Sequence, residues 1–410
     1  MRILILSVCI FIYVINLGAQ TKPSKWNFSY KYDVNSLVKC QYRLWELKDS
    51  VVVFFKLTFD EKYAKEKQFH KKYTWTFDVK ITSSYDTKNT LLEGTFSSNK
   101  YQIAENEYLF SVQIPKITES SAYLFLAYFQ DESGKILIED IPLKIVGTEL
   151  YSENLAFYYK TEVPVFENFI SKSDTFSIKS GFGNSKTSIH YFKYNFAAAL
   201  PPMATVNTGD QDVRLSPDST LVVDCDSMII PFKKGFYMLP SINKNKSNRL
   251  MVIENRFPKV TKTRELIDPC IYIATDDERK GMKQSQKPKV KLDDFWLSLG
   301  QDKDFARKMI KNYYTKVQEA NALFTLYKEG WKTDMGMIYI VFGKPDYVYK
   351  QDLKETWKYK SRPNIPSVNF IFNKKSGPLG CFFYELQNSD DYANVWYNTV
   401  ELWRKGMIEK

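Results

Sequence analysis

Catalysis needs nucleophiles, bases or metal ligands held at short range, and this chain offers few in that arrangement. It has two histidines, His70 and His190, each beside a strand-like aromatic stretch and distant in sequence. No His-x-x-x-His, no Gly-x-Ser-x-Gly and no paired metal ligands occur. A triad or a zinc site would have to be built almost without histidine, so no metal or other cofactor is expected. What remains are carboxylates near tryptophans: Asp334, Asp346 and Glu385 with Trp331, Trp357, Trp396 and Trp403. Such a set can wall a pocket for sugars or peptides. Acid–base hydrolysis would further need two carboxylates at a set separation. The same aspartates serve equally well as turn residues.

Gly181-Phe182-Gly183-Asn184-Ser185-Lys186 superficially resembles a phosphate loop. Its third glycine is missing and a strand pattern follows where a helix is needed, so it reads as a hairpin turn. Cys40, Cys225, Cys270 and Cys381 follow the N-terminal apolar run. Cys225 and Cys270 flank one middle region and are the favoured disulfide. Cys40 and Cys381 read as buried small apolar groups. No Cys-x-x-Cys is present, so neither a redox motif nor a thiolate zinc site is expected.

Met1-Arg2, the apolar run 3–17 and Gly18-Ala19-Gln20 form a signal peptide pattern over residues 1–20, with cleavage near Ala19 or Gln20. The run is short for a spanning helix, and no later segment is apolar enough, so no transmembrane helix is expected after cleavage. Cys9 lies inside the run, not at its end where a lipoprotein signal places its cysteine. The expected location is the periplasm, or the outer membrane or cell surface. Aromatic content of 16% with 16 Gly and 16 Pro speaks for folded, strand-rich structure and against disorder. The net charge of +11 suits a solvated surface or attraction to anionic lipopolysaccharide or headgroups. Nucleic acid is not an expected partner, because export contradicts it and no helix-turn-helix, zinc-finger or RNP pattern appears.

Residues 21–147 carry short strand patterns at 26–32, 41–47, 51–59, 73–82, 91–96, 107–114, 122–130 and 135–145. Tyr73, Trp75, Phe77, Val79 and Ile81 alternate with polar residues, a strand with one wet face. Asp131-Glu132-Ser133-Gly134 is a hairpin signal. The spacing predicts an immunoglobulin-like β-sandwich. Residues 148–260 read as a second β domain, with Ala197-Ala198-Ala199-Leu200-Pro201-Pro202-Met203 as a connecting loop or an apolar partner contact. Within it, Asp218-Ser219-Thr220 and Asp226-Ser227-Met228 look like three-residue O-glycosylation acceptors of some bacterial envelopes, which makes Ser219 and Ser227 candidate sites. Residues 261–292 have the composition of a basic linker.

Residues 293–410 predict an α+β domain. Phe305, Met309, Tyr313, Val317, Ala320, Phe324 and Tyr327 share one helical face, with Asp302 or Asp304 at its N-cap. Gly330 reads as the cap after a helix ending near Lys328. Thr333 and Asp334 read as a tight turn, 335–342 as a central strand covered on both faces, and Gly343-Lys344-Pro345-Asp346 as a turn. Strands at 347–350, 355–359, 368–372 and 380–386 and a helix at 394–404 follow. The whole is expected as an antiparallel sheet of about five strands covered by helices.

Gly330-Trp331-Lys332-Thr333-Asp334, then Gly336, Ile338-Tyr339-Ile340, Phe342-Gly343 and Pro345-Asp346, resembles the motif of the bacterial GWxTD domain family. Phe295-Trp296, Tyr313-Tyr314, Ala320-Asn321 and Phe324 are similar to that family's helical lead-in. The resemblance spans roughly 293–404. It implies an exported envelope protein and carries over no catalytic residues. The motif residues Gly330, Trp331, Thr333, Asp334, Gly336, Gly343, Pro345 and Asp346 become the candidate ligand or partner surface. The expected function is a non-catalytic, multidomain binding or scaffold protein contacting protein or glycan partners. The alternative is a carboxylate-dependent glycan hydrolase with a Trp-lined pocket in the C-terminal domain.

Overall fold

The computed structural model describes residues 22–62, 74–99, 101–115, 123–130, 136–144, 155–159, 163–193, 195–205, 216–231, 233–239, 248–300, 302–377 and 381–408. The signal-like run, His70 and the Asp131–Gly134 turn lie outside them. Among the described residues no helix is long and apolar enough to cross a membrane.

The first unit is two four-stranded antiparallel sheets. One orders β1 (Val38–Glu46), β2 (Ser50–Phe59), β6 (Glu107–Pro115) and β5 (Tyr101–Ala104) as β1-β2-β6-β5. The other orders β3 (Thr74–Thr82), β4 (Thr90–Asn99), β7 (Tyr123–Gln130) and β8 (Ile136–Lys144) as β4-β3-β7-β8. β2 is apolar almost throughout because both of its faces are covered. Val53, Phe55 and Leu57 are fully buried on one face, while Val52 and Phe54 on the other pack against Val163 and Phe166 of the next unit. Residues 26–32 are not a strand. They include a 3-10 turn at Ser29–Tyr32, and Phe28 buries itself in the C-terminal core, its N–H donating to Val348 O. Alternation over so few residues does not distinguish a strand from a segment captured by a neighbouring sheet.

The second unit pairs β9 (Leu155–Tyr159) with β11 (Phe176–Ser180). These cover a five-stranded sheet ordered β10-β15-β14-β12-β13, from β10 (Phe169–Ser171), β12 (Lys186–Phe192), β13 (Ser219–Asp224), β14 (Gly235–Leu239) and β15 (Asn248–Ile253). The Gly181–Lys186 stretch does turn the chain, with Gly183 at φ 74°. It links strands of two different sheets, so it is not a hairpin.

The stretch 261–292 is helical, not an extended linker. α1 (Thr263–Ile267), α2 (Asp276–Gln284) and α3 (Pro288–Leu299) bury Ile267, Met282 and Leu292, and the intervening 3-10 turn buries Cys270 and Tyr272. Its lysines face water while sparse apolar residues reach the core, so composition alone conceals the amphipathic pattern. α4 (Lys303–Phe324) begins as expected, with Asp302 Oδ1 accepting the Asp304 and Phe305 N–H groups at 2.8 Å each. The 335–342 segment is a helix, α5 (Asp334–Phe342), not a central strand. All eight residues after Asp334 are buried, and a short apolar run buried on every side has no periodicity to separate helix from strand. The sheet therefore has four strands, a meander of β16 (Tyr347–Gln351), β17 (Lys354–Tyr359), β18 (Val368–Ser376) and β19 (Phe382–Leu386), followed by α6 (Tyr392–Arg404).

Candidate functional site

The stretch from Gly330 to Gly336 is a tight knot between α4 and α5. Gly330 has no left-handed φ and does not cap α4, which ends at Phe324. It is glycine for space: a Cβ there would lie 2.0 Å from Ala320 O. Gly336 is glycine for the same reason, its Cβ falling 1.8 Å from Gly330 O. Thr333 joins the two. Its hydroxyl donates to Gly330 O at 2.8 Å and accepts the Gly336 N–H at 3.0 Å, which makes it the N-cap of α5. Gly343, at φ 78°, closes that helix.

Trp331 is 7% exposed and meets Tyr272 edge-on. Its N–H donates to Asn321 Oδ1 at 3.1 Å, and Asn321 Nδ2 donates to Pro258 O at 3.1 Å. Tyr272 Oη donates to Trp331 O at 2.8 Å. Burial first, and Asp334 second, push the Tyr272 phenol well above its usual range. The Ala197–Met203 loop docks here too: the Ala199 N–H donates to Lys332 O at 2.8 Å, and Lys328 Nζ to Ala197 O at 3.2 Å. Ala199 is thereby buried in the C-terminal core, while Leu200 stays exposed.

Thr333 and Asp334 look out on a cleft of about 340 Å³. Tyr32 comes from the N-terminal segment, Tyr42 from β1, Asn168 from the second unit, Leu323–Lys328 from the end of α4 and the segment after it, and Phe382–Tyr384 from β19. Tyr32, Tyr42, Phe382 and Tyr384 are each partly exposed. Tyr32 is wedged between Phe324 and Trp357, with ring centroids at 5.6 and 4.8 Å.

Beside the cleft, the first unit meets the C-terminal sheet through buried charges. Asp140 on β8 pairs with Lys31 at 2.6 Å and Lys350 at 3.0 Å, and accepts from Tyr85 Oη. Glu139 pairs with Lys31. Glu355, 1% exposed, accepts from Tyr32 Oη and from Trp357 Nε1. Burial favours the neutral acid at Asp140, but Lys31 and Lys350 outweigh it and hold that carboxyl well below the usual range. Burial pushes Glu139 up. Lys374 stands 5.8 Å from the ring centroids of both Phe382 and Tyr384, and burial, with Lys350 behind it, lowers its ammonium to about 8.

Of the sequence-derived site residues, the structure gathers Gly330, Trp331, Thr333, Asp334 and Gly336 into the knot. Gly343, Pro345 and Asp346 form the next turn, where Asp346 Oδ2 accepts the Lys360 N–H at 2.8 Å. Trp331, Trp357, Trp396 and Trp403 are all buried core residues; Trp331 and Trp403 border other hollows, but none of the four lines the cleft of Asp334. Tyr32, Tyr42, Phe382 and Tyr384, which sequence reasoning missed, do wall that cleft. Cys225 and Cys270 are free thiols, not a disulfide. Cys270 is buried with its Sγ 3.4 Å from Tyr314 Oη, and burial pushes it up to about 12. Cys40 is also a free thiol, only partly buried, and Cys381 is buried as expected. His190 lies in β12, opposite Thr220 and Met238. Ser219 opens the edge strand β13, and Ser227 is exposed in the turn after it.

A family model described as the GWxTD domain matches residues 235–405. The match starts at β14, well before residue 293, and takes in the helices of 261–292. Pro258 and Tyr272, which bond to Asn321 and Trp331, both fall within it. No curated protein matches the chain.

Proposed function

The chain carries a GWxTD domain and belongs to the GWxTD domain-containing family, and from that premise we propose that it is a non-catalytic binding and scaffold protein of the bacterial cell envelope. One observation carries the reading: segments far apart in sequence converge on one aromatic-walled cleft at the foot of the motif. A mostly apolar concavity with a few polar groups is the usual form of a ligand site. The N-terminal pattern of residues 1–20 is the reason for assigning export to the periplasm or the cell surface. We read the first unit as immunoglobulin-like, because the orders β1-β2-β6-β5 and β4-β3-β7-β8 split eight strands in the way such sandwiches do. Units of that kind space and present binding surfaces.

The hydrolase reading would need a second carboxylate beside Asp334, and among the described lining residues Asp334 stands alone as an acid. A photo-crosslinking residue at position 42, with a control at exposed Phe182, tests the proposal in intact envelopes. Capture of one defined envelope component at 42 but not at 182 is the expected result. Equal or absent capture at both positions would refute a binding role for the cleft.

A further inference from the structure

The chemistry of this cleft narrows its ligand, and the argument rests on the binding role just proposed. Its described lining holds one carboxylate, Asp334, and one ammonium, Lys328, so the wall carries no formal net charge. Lys328 already donates to Ala197 O and stands 5.4 Å from the Tyr327 ring centroid. The rest is aromatic and aliphatic, apart from Asn168, Thr325 and Thr333. Asn168 is engaged on both sides, accepting from Arg43 and donating to Thr325 O. Thr325 donates to Asn321 O, and the Thr333 hydroxyl is spent inside the knot.

Three ligand classes can be weighed on these walls. A purely apolar ligand would strip water from the partly exposed Asp334 carboxylate and return no donor, which is costly. A cation would find Asp334, but it would also meet Lys328 in the wall and Lys374 already over the Phe382 and Tyr384 rings. An anion would face Asp334. A neutral sugar presents C–H faces to rings and O–H donors to a carboxylate, and a carboxylate has lone pairs for several donors. The volume of about 340 Å³ suits one or two pyranose rings. Tyr32, held between Phe324 and Trp357, supplies a wall that needs no ordering on binding.

We propose that the cleft between Tyr32, Tyr42, Phe382, Tyr384 and Asp334 binds a neutral sugar ring of a glycan. Stacking on Tyr42 orients the ring, and Asp334 accepts one or two of its hydroxyls.

The test uses the full chain and titrates cellobiose, maltose and N,N′-diacetylchitobiose by calorimetry and ligand-observed NMR. Arginine methyl ester serves as the cationic comparison. Weak binding of at least one disaccharide, on the order of Kd 1 mM, is expected. Tyr42→Ala and Asp334→Asn should each weaken it at least about tenfold, and Leu323→Trp, which puts a larger side chain into the wall while leaving the polar groups in place, should abolish it. Thermal unfolding within a few degrees of wild type confirms that each variant is folded. Binding of arginine methyl ester alone, or sugar binding unchanged in Leu323→Trp, overturns the proposal. If no disaccharide binds while the residue at position 42 still captures an envelope protein, the sugar proposal fails and the binding reading survives. If neither happens, both fail.

Discussion

Gly336→Ala is the sharpest probe of the knot, because local and tertiary physics predict opposite signs. Residue 336 lies in the first turn of α5, where alanine is a better helix former than glycine by about 1 kcal/mol. On propensity alone the substitution stabilises. The new Cβ, however, would sit 1.8 Å from Gly330 O and 2.8 Å from Gly330 C, both backbone atoms. Gly330 cannot retreat, since a Cβ of its own would lie 2.0 Å from Ala320 O and its neighbour Trp331 is tied to Asn321. Either α5 or the 330–332 turn must move, and the two Thr333 hydroxyl bonds stretch or break. Overpacking costs about 1–3 kcal/mol, and each lost bond about 1 kcal/mol. After the helix gain, a net loss of about 2–4 kcal/mol remains, which lowers Tm by about 5–15 °C for a domain of this size. Calorimetry of the full chain, with near-UV circular dichroism following the C-terminal tryptophans, reads the loss. Gly281→Ala is the control: the residue is helical, and a methyl group there would meet nothing within 4 Å, so it should stabilise by about 0.5–1 kcal/mol. If Gly336→Ala behaves like Gly281→Ala, the close approach of the two glycines does not hold the knot.

Trp331→Ala removes a ring that is 7% exposed and should cost about 3–5 kcal/mol; a loss below about 1 kcal/mol in denaturant titration would remove Trp331 from the core. Lys374 gives a pH signature. Its ammonium titrates near 8 in the fold against about 10.4 when unfolded. Below pH 8 both states hold the proton and the full penalty applies. As pH rises toward about 10 the folded state gives up its proton first, so this group makes stability rise with pH. Lys374→Met should raise Tm at pH 7 and flatten that rise. Parallel Tm–pH profiles for the two proteins would show that Lys374 does not carry it, although Lys350, Asp140, Glu355 and Asp352 act on it.

Where residues repeat at a fixed period over a long run, sequence and structure agree, while the short alternation of 26–32 misled. α4 was legible from its apolar face and its Asp302 cap, and β16 to β19 from alternation and turn residues. α5 was not, because Met335–Phe342 is apolar at every position and carries no period to read. Its punctuation was informative all the same: Thr333 is an N-cap residue type followed by the acidic Asp334 in the first turn, and Gly343 marks the C-terminal end. The helices of 261–292 were concealed by lysines that dominate composition without deciding burial. The cleft was illegible for a different reason. Tyr32, Tyr42, Asp334 and Tyr384 are joined by long-range packing, and no local pattern links them. The tryptophans drew attention as large aromatic residues, but size is also what suits them to the core, and the site fell to tyrosines with a polar tip.

The motif's most chemical-looking residues are largely accounted for by geometry. Gly330 and Gly336 are required by backbone approach, Thr333 by a hydroxyl that donates and accepts in one turn, and Trp331 by core packing. Lys332 pairs with Glu329 at 2.7 Å and donates to Asn195 Oδ1 at 2.6 Å. Asp334 differs from these residues, because it stands both in the first turn of α5 and in the wall of the cleft. An acid there is favourable to the helix dipole by a few tenths of a kcal/mol up to about 1 kcal/mol, which asparagine forfeits while keeping the shape. Asp334→Asn therefore separates the two roles: a change in stability of that size with ligand binding intact assigns Asp334 to the fold, whereas lost binding on an otherwise stable chain assigns it to the cleft.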